Sequence, residues 1–231
     1  MRQFQRLIVL FLLLLLPQSG LAGDALFLNP DQIDLSRLLA PPPAIGSPVQ
    51  LREMAELLAL QQTRTPTQVA FAQADAERSV FRFADVIGEK FTPENCPVTA
   101  DFFKKVAHSA SAVVDPAKDH WNRPRPFVAN PALDPCVRKP HGPSYPSAHA
   151  TFATVSAIVL ANMFPEKAPA IFARAAEYRL NREIGGVHYP SDVEAGYLAG
   201  TVIAAFELDN PAFQLEFAQA KTEARRVLGL P

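Results

Sequence analysis

PSAHATFATVSAIVLANMF, residues 146–164, decides the fold class. Pro146 and Ser147 stand where a helix would begin, because the first N–H groups of a helix lack internal partners and a Ser side chain can accept from them. The run from Thr151 to Phe164 is then apolar and rich in Ala and Val. Crossing a bilayer takes about 20 apolar residues, so this run is too short and reads as a buried core helix. Residues 197–206 form a second run of the same kind.

Outward from these runs the pattern stays helical. PEKAPAIFARAAEYRLNREIGG, PSDVEAGYLAGTVIAAFEL and NPAFQLEFAQAKTEARRVLG complete the C-terminal half. Upstream, VQLREMAELLALQQTR carries apolar residues at helical spacing. TPTQVAFAQADAERSVFRFADVIG reads as a further helix, with Thr65 and Pro66 as N-cap and first position. Another helix is predicted from about Thr99 to Val114. NPDQIDLSRLL reads as a short helix, and the prolines of APPPAIGSP force an extended connection after it. Sustained β alternation is missing, so the expected fold is all-α, a single compact helical domain over residues 23–231.

From Asp115 to Pro146 the apolar rhythm stops and Pro is dense. A connection of about 30 residues is far beyond the usual length, and such loops are commonly functional. This one holds Lys118, His120, Arg123, Arg125, Arg138, Lys139 and His141.

Residues 1–22 read differently. Arg2 and Arg6 precede an unbroken apolar run from Leu7 to Leu16, then Pro17 and small residues at Gly20 and Ala22. That pattern predicts a secretory signal peptide cut after Ala22, and hence a periplasmic or secreted protein with no membrane attachment after cleavage. Losing both arginines takes the formal net charge from −1 to −3. Such a balance excludes nucleic-acid or membrane-surface binding by bulk charge, so any anion site must be built locally. Cys96 and Cys136 are expected to pair as a disulfide in an oxidising compartment; two separate buried thiols is the alternative. Their spacing fits no zinc motif, so no metal and no cofactor are expected.

Three clusters carry chemistry. KDHWNRPRP places Lys118 and Arg125 seven apart, with Pro126 behind them. PSYPSAHA places Ser147, Ala148 and His149 at the start of an apolar helix, where Ser147 either caps the helix or faces a ligand oxygen. LNREIGGVHYPSDVEAG places Arg182, His188 and Asp192 around a corner, with Gly185 and Gly186 ending one helix and Pro190 opening the next. A carboxylate on one imidazole nitrogen fixes the tautomer and frees the other nitrogen to attack. Each cluster also has a plain reading: solvated loop charge, a helix-start histidine, a His–Asp brace.

In this order and spacing the three clusters resemble the three-part signature of the type 2 phosphatidic acid phosphatase (PAP2) and vanadium haloperoxidase superfamily. The leader and the LLAPPP stretch are most similar to its bacterial class A nonspecific acid phosphatases. The resemblance implies metal-independent hydrolysis of small-molecule phosphomonoesters through a phosphohistidine. His188 would be the nucleophile, oriented by Asp192, and His149 the acid and then the base. Lys118, Arg125, Ser147, Ala148 and Arg182 would bind the phosphate, and vanadate would mimic the transition state. Two positions depart from the pattern: Ala148 stands where Gly is usual, and Asn181 where Ser is usual. A lipid- or pyrophosphate-specific phosphatase, a vanadium-dependent haloperoxidase and a phosphate-binding module remain alternatives. The apolar helices leave room for a homodimer.

Overall fold

The computed structural model describes residues 26–231, and the leader expected at residues 1–22 lies outside them. Among the described residues all regular structure is helical. A 3-10 turn at Pro30–Gln32 leads into α1 (Leu35–Leu38), α2 (Pro48–Thr63) and α3 (Pro66–Ala74). A 3-10 turn at Val80–Phe83 runs into α4 (Ala84–Ile87), followed by α5 (Pro97–Trp121) and the short α6 (Pro126–Ala129). The C-terminal half contains α7 (Ala148–Met163), α8 (Ala168–Ile184), α9 (Pro190–Asp209) and α10 (Pro211–Leu228).

Proline does much of the punctuation. Pro48, Pro66, Pro97, Pro126, Pro190 and Pro211 each open a helix, where the missing N–H is not needed and the fixed φ suits the first turn. Ser47, Thr65, Ser147 and Asn210 cap helices with their side chains.

α7 is the central helix. It packs against α5, α8 and α9, while α10 covers α5 and α9. Phe152, Ala153, Val155, Val159, Leu160 and Met163 are all buried, and fully burying one large apolar side chain stabilises by roughly 1.5–3 kcal/mol. α9 comes close to α7 because Gly196 and Gly200 face it. A Cβ on Gly196 would lie 2.5 Å from the Ser147 carbonyl oxygen, and one on Gly200 2.7 Å from that of Thr151. Among the described residues, no helix is long and apolar enough to cross a membrane.

Three expectations are corrected. α5 does not stop at Val114 but continues through Pro116 to Trp121, where Asn122 turns left-handed at φ 43°. An interior proline costs about 3 kcal/mol; burial of Val113, Val114 and Ala117, and an edge-on contact of Trp121 with Tyr145, offset it. Lys118 is therefore held by a helix rather than a loop. The helix read from Pro66 onward ends at Ala74, because Asp75 turns a buried carboxylate into α8. The expected disulfide is not formed: Cys96 and Cys136 are free. Cys96 is buried in the main core at the start of α5, whereas Cys136 packs beside a separate small cluster with Ala72, Val137, Ile184 and Val187.

Candidate active site

Four places in the fold converge on one pocket: the last turn of α5, the loop from Asn122 to Ser147, the start of α7, and the corner between α8 and α9. The corner is shaped by Gly186, whose φ of +73° suits a residue without Cβ. The Val187 N–H then returns to the Arg182 carbonyl at 3.2 Å, and Pro190 starts α9.

This turn holds His188 almost without solvent exposure, its Nδ1 3.4 Å from Asp192 Oδ2. Its Nε2 lies 3.1 Å from Arg125 Nη1. A guanidinium only donates, so Nε2 is the bare nitrogen and Nδ1–H faces the carboxylate. Burial pushes the imidazole down to about 3; the Asp192 bond opposes this and the Arg125 charge adds to it. Burial alone would push Asp192 up, but the His188 bond, the Arg123 charge and the Ser144 hydroxyl hold it below the usual carboxylate range.

Asp192 is itself tightly held. Oδ2 accepts from the Ser144 hydroxyl and from the Tyr189 N–H at 2.8 Å, and Oδ1 accepts from Arg123 Nη1 at 2.6 Å. Arg123 Nη2 donates to Glu53 Oε2 at 3.0 Å, and its guanidinium lies 4.0 Å over the Tyr189 ring. Glu53 also receives the Ser191 N–H at 2.7 Å. Sequence reasoning missed these supports. Arg123 carries a local signal, standing two residues before Arg125 in RPRP. Glu53 carries none, since it lies on α2, more than a hundred residues from the helix it serves.

His149 lies in the first turn of α7 and turns Nε2 to the Ala76 carbonyl oxygen at 3.0 Å. A carbonyl only accepts, so Nε2 carries the hydrogen and Nδ1 is left over. Burial and the nearby Arg182 charge hold this histidine well below the usual imidazole range. Ser147 is the N-cap of α7, its hydroxyl accepting from the Ala150 N–H at 3.3 Å, so of its two expected roles the capping one is filled.

The cations are satisfied in an unusual way. Lys118 Nζ donates to the Pro143 carbonyl at 2.7 Å. Arg125 donates to the carbonyls of Gly142 and Val187, each at 3.0 Å, and of Pro143 at 3.3 Å. Arg182 donates to the Ala72 carbonyl at 3.0 Å, and its buried Nε has no partner. Among the described residues, none of the three forms an ion pair with a carboxylate. Burial, with the Arg125 charge, pushes Lys118 down to about 8, and burial pushes Arg125 down to about 10.

Lys118, Arg125, Ala148, His149 and His188 line a pocket of about 540 Å³, walled by the loop Pro140–Pro143 and by Arg78, Ser111, Asp115 and Asp119. Ser147 and Arg182 are buried and do not form part of its wall. Asn181, the second departure from the family pattern, does not line the pocket and donates to Asp75 Oδ2 at 2.8 Å. The site thus gathers a neutral imidazole with a bare nitrogen, a second imidazole, and two cations, Lys118 and Arg125, that make no direct ion pair among the described residues, with Arg182 buried behind them. That is a receptacle for a compact multivalent anion.

Comparison with known proteins gives a consistent result. Residues 106–212 match the family model of the PAP2 superfamily. The chain is 33% identical over 201 residues to a protein of Zymomonas mobilis named acid phosphatase, covering 80% of this chain and 76% of that one. It is 34% identical over 166 residues to the non-specific acid phosphatase of Salmonella typhimurium, covering 66% of this chain and 64% of that one. A bacterial vanadium-dependent iodoperoxidase superposes with a TM-score of 0.60 at 16% identity, over 74% of this chain and 52% of that one, which is a likeness of fold.

Proposed function

Because the chain belongs to the PAP2 superfamily, we propose that it is a periplasmic or secreted acid phosphatase that hydrolyses soluble phosphomonoesters through a phosphohistidine on His188, without a metal ion. The observation that carries this reading is that the site's cations donate to backbone carbonyls and form no direct ion pair among the described residues. Lys118, Arg125 and Arg182 are each held by backbone carbonyls rather than carboxylates, Lys118 and Arg125 line the pocket with His188, and Arg125 lies against its Nε2. A phosphoryl group supplies both a direct anionic partner for these donors and an electrophile for the bare nitrogen.

The chemistry follows from the placement. The substrate phosphoryl takes over the donors now given to carbonyls, and the arginines clamp its oxygens. His188 Nε2 attacks phosphorus while the bond to the leaving oxygen breaks. Asp192 stabilises the positive charge that develops on the ring through Nδ1–H. His149 Nδ1 delivers a proton to the leaving oxygen, then removes one from the water that attacks the phosphoenzyme. The P–N bond breaks, and phosphate leaves with His188 neutral again. Burial and the Arg182 charge favour neutral His149; the anionic phosphoryl group beside it favours the protonated form, so acid conditions suit the first step. The three cations stabilise the charge on the equatorial oxygens. The periplasmic or secreted location rests on the leader pattern at residues 1–22.

The test is p-nitrophenyl phosphate hydrolysis in excess EDTA from acid to alkaline pH, with rapid acid and alkaline quenches of labelled enzyme. An acid optimum that survives EDTA, and an acid-labile, base-stable phosphoenzyme absent from His188→Ala, are expected. Activity abolished by EDTA and restored by a divalent cation would overturn the mechanism.

A further inference from the structure

The end of α3 and the turn that follows it, residues 72–77, reach Arg182, His149 and Tyr178 through backbone carbonyls. The Ala72 carbonyl accepts from Arg182 Nη2 at 3.0 Å, the Ala76 carbonyl from His149 Nε2 at 3.0 Å, and the Glu77 carbonyl from the Tyr178 hydroxyl. Two site groups are therefore aimed by carbonyls whose positions depend on how this turn is fixed.

What fixes it is Asp75, a wholly buried carboxylate in the middle of the turn. Oδ1 accepts from Arg82 Nε at 2.9 Å and Arg174 Nη2 at 2.6 Å; Oδ2 accepts from Arg174 Nη1 at 3.0 Å and Asn181 Nδ2 at 2.8 Å. Arg174 is itself buried and reaches Asp85 through Nε at 2.9 Å. Arg174 and Asn181 both belong to α8, the helix that also carries Arg182. The clamp thus ties the turn to the same rigid element that carries Arg182.

We propose that Asp75, with Arg174 and Asn181, positions His149: the clamp fixes the Ala76 carbonyl against Nε2 and so presents Nδ1 to the leaving oxygen. The turn serves His149 as Asp192 serves His188, a partner on one nitrogen setting the tautomer of the other. A carbonyl does this without adding a negative charge where the substrate brings its own. The proposal rests on the reading above for the role of His149.

The experiment has two arms. Nitrogen-15 NMR of the histidine side chains in the ligand-free wild type, assigned with His149→Ala, reads the tautomer without any turnover. The Nε2–H form is expected, giving way to a mixture in Asp75→Asn and Asn181→Ala. In the kinetic arm, the kcat ratio of p-nitrophenyl phosphate to an alkyl phosphate is expected to grow about tenfold or more in these variants, because a slightly misplaced acid matters most for a poor leaving group. A wild-type His149 protonated on Nδ1, or folded variants that lose kcat equally on both substrates with the tautomer unchanged, would overturn the proposal. Should Asp75→Asn fail to fold, Asn181→Ala and the wild-type tautomer decide it. An inactive wild type with the expected tautomer would overturn the phosphatase reading and leave the positioning geometry standing.

Discussion

Glu207 offers a test of the fold's electrostatics with a worked magnitude. It lies on α9 with no solvent exposure, and neither carboxyl oxygen has a hydrogen-bond partner. Burial pushes its pKa from 4.5 up to about 9. The folded protein therefore keeps this proton across a range in which the unfolded chain has released it. The sign follows directly: the contribution to stability is full below about pH 4.5 and declines as pH rises toward 9. Each pH unit in that window costs about 1.4 kcal/mol, so by pH 7 the loss is about 3 kcal/mol. Glu207→Gln preserves size and polarity but does not titrate. Relative to its difference at pH 4.5, the variant should gain about 3 kcal/mol by pH 7, or roughly 6–12 °C in Tm for a domain of this size. An unpaired amide adds a constant offset of about 1–3 kcal/mol, so the slope with pH is what counts. The assay is thermal and urea unfolding of both proteins between pH 4.5 and 8. Parallel stability curves would refute the reasoning.

Three further outcomes are expected. Gly196→Ala places a methyl 2.5 Å from the Ser147 carbonyl and 2.7 Å from Ala150 Cβ; it should cost about 1–3 kcal/mol by overpacking and lower kcat by separating Asp192 from the start of α7, as urea unfolding and steady-state kinetics will check. Arg123→Ala strips a donor from Asp192 and leaves Glu53 buried without its cation; breaking such a buried pair costs about 3–5 kcal/mol, and a large kcat loss should accompany it, whereas wild-type stability would contradict the network. Lys118, pushed down to about 8, loses its charge in the free enzyme as pH rises through that value; KM for a phosphomonoester should climb above pH 8, and Lys118→Arg should flatten that climb in a pH series.

Among the other groups that burial shifts, Glu183 acts in concert with Glu207 and His188 acts against it. Glu183, pushed up to about 7 by burial and the neighbouring carboxylates Glu56 and Glu53, likewise loses stability as pH rises from 4.5 toward 7. His188, pushed down to about 3, works in the opposite sense: its stability is full above pH 6.5 and is lost as pH falls through that value toward 3. His149, also held well below the imidazole range, works in the same sense as His188.

Sequence by itself determined the helical class and singled out the candidate site residues, because both are written in local pattern. Apolar runs too short for a membrane, prolines at helix starts and the Gly185–Gly186 corner each act over a few residues. His188 and Asp192 meet because the bend at His188 runs straight into the first turn of α9, where the Asp192 carboxylate folds back to the helix N-cap. Tertiary structure alone decided the rest. Pro116 looked like a stop, yet α5 passes through it because burial on α7 and α10 outweighs one missing hydrogen bond. Two cysteines looked like a bridge, yet they pack beside different clusters. The Glu53–Arg123–Asp192 chain and the Asp75 clamp join segments up to a hundred and more residues apart in sequence. Such long-range pairs form only where packing removes both partners from water, and no local pattern encodes which distant charge will be there to meet them.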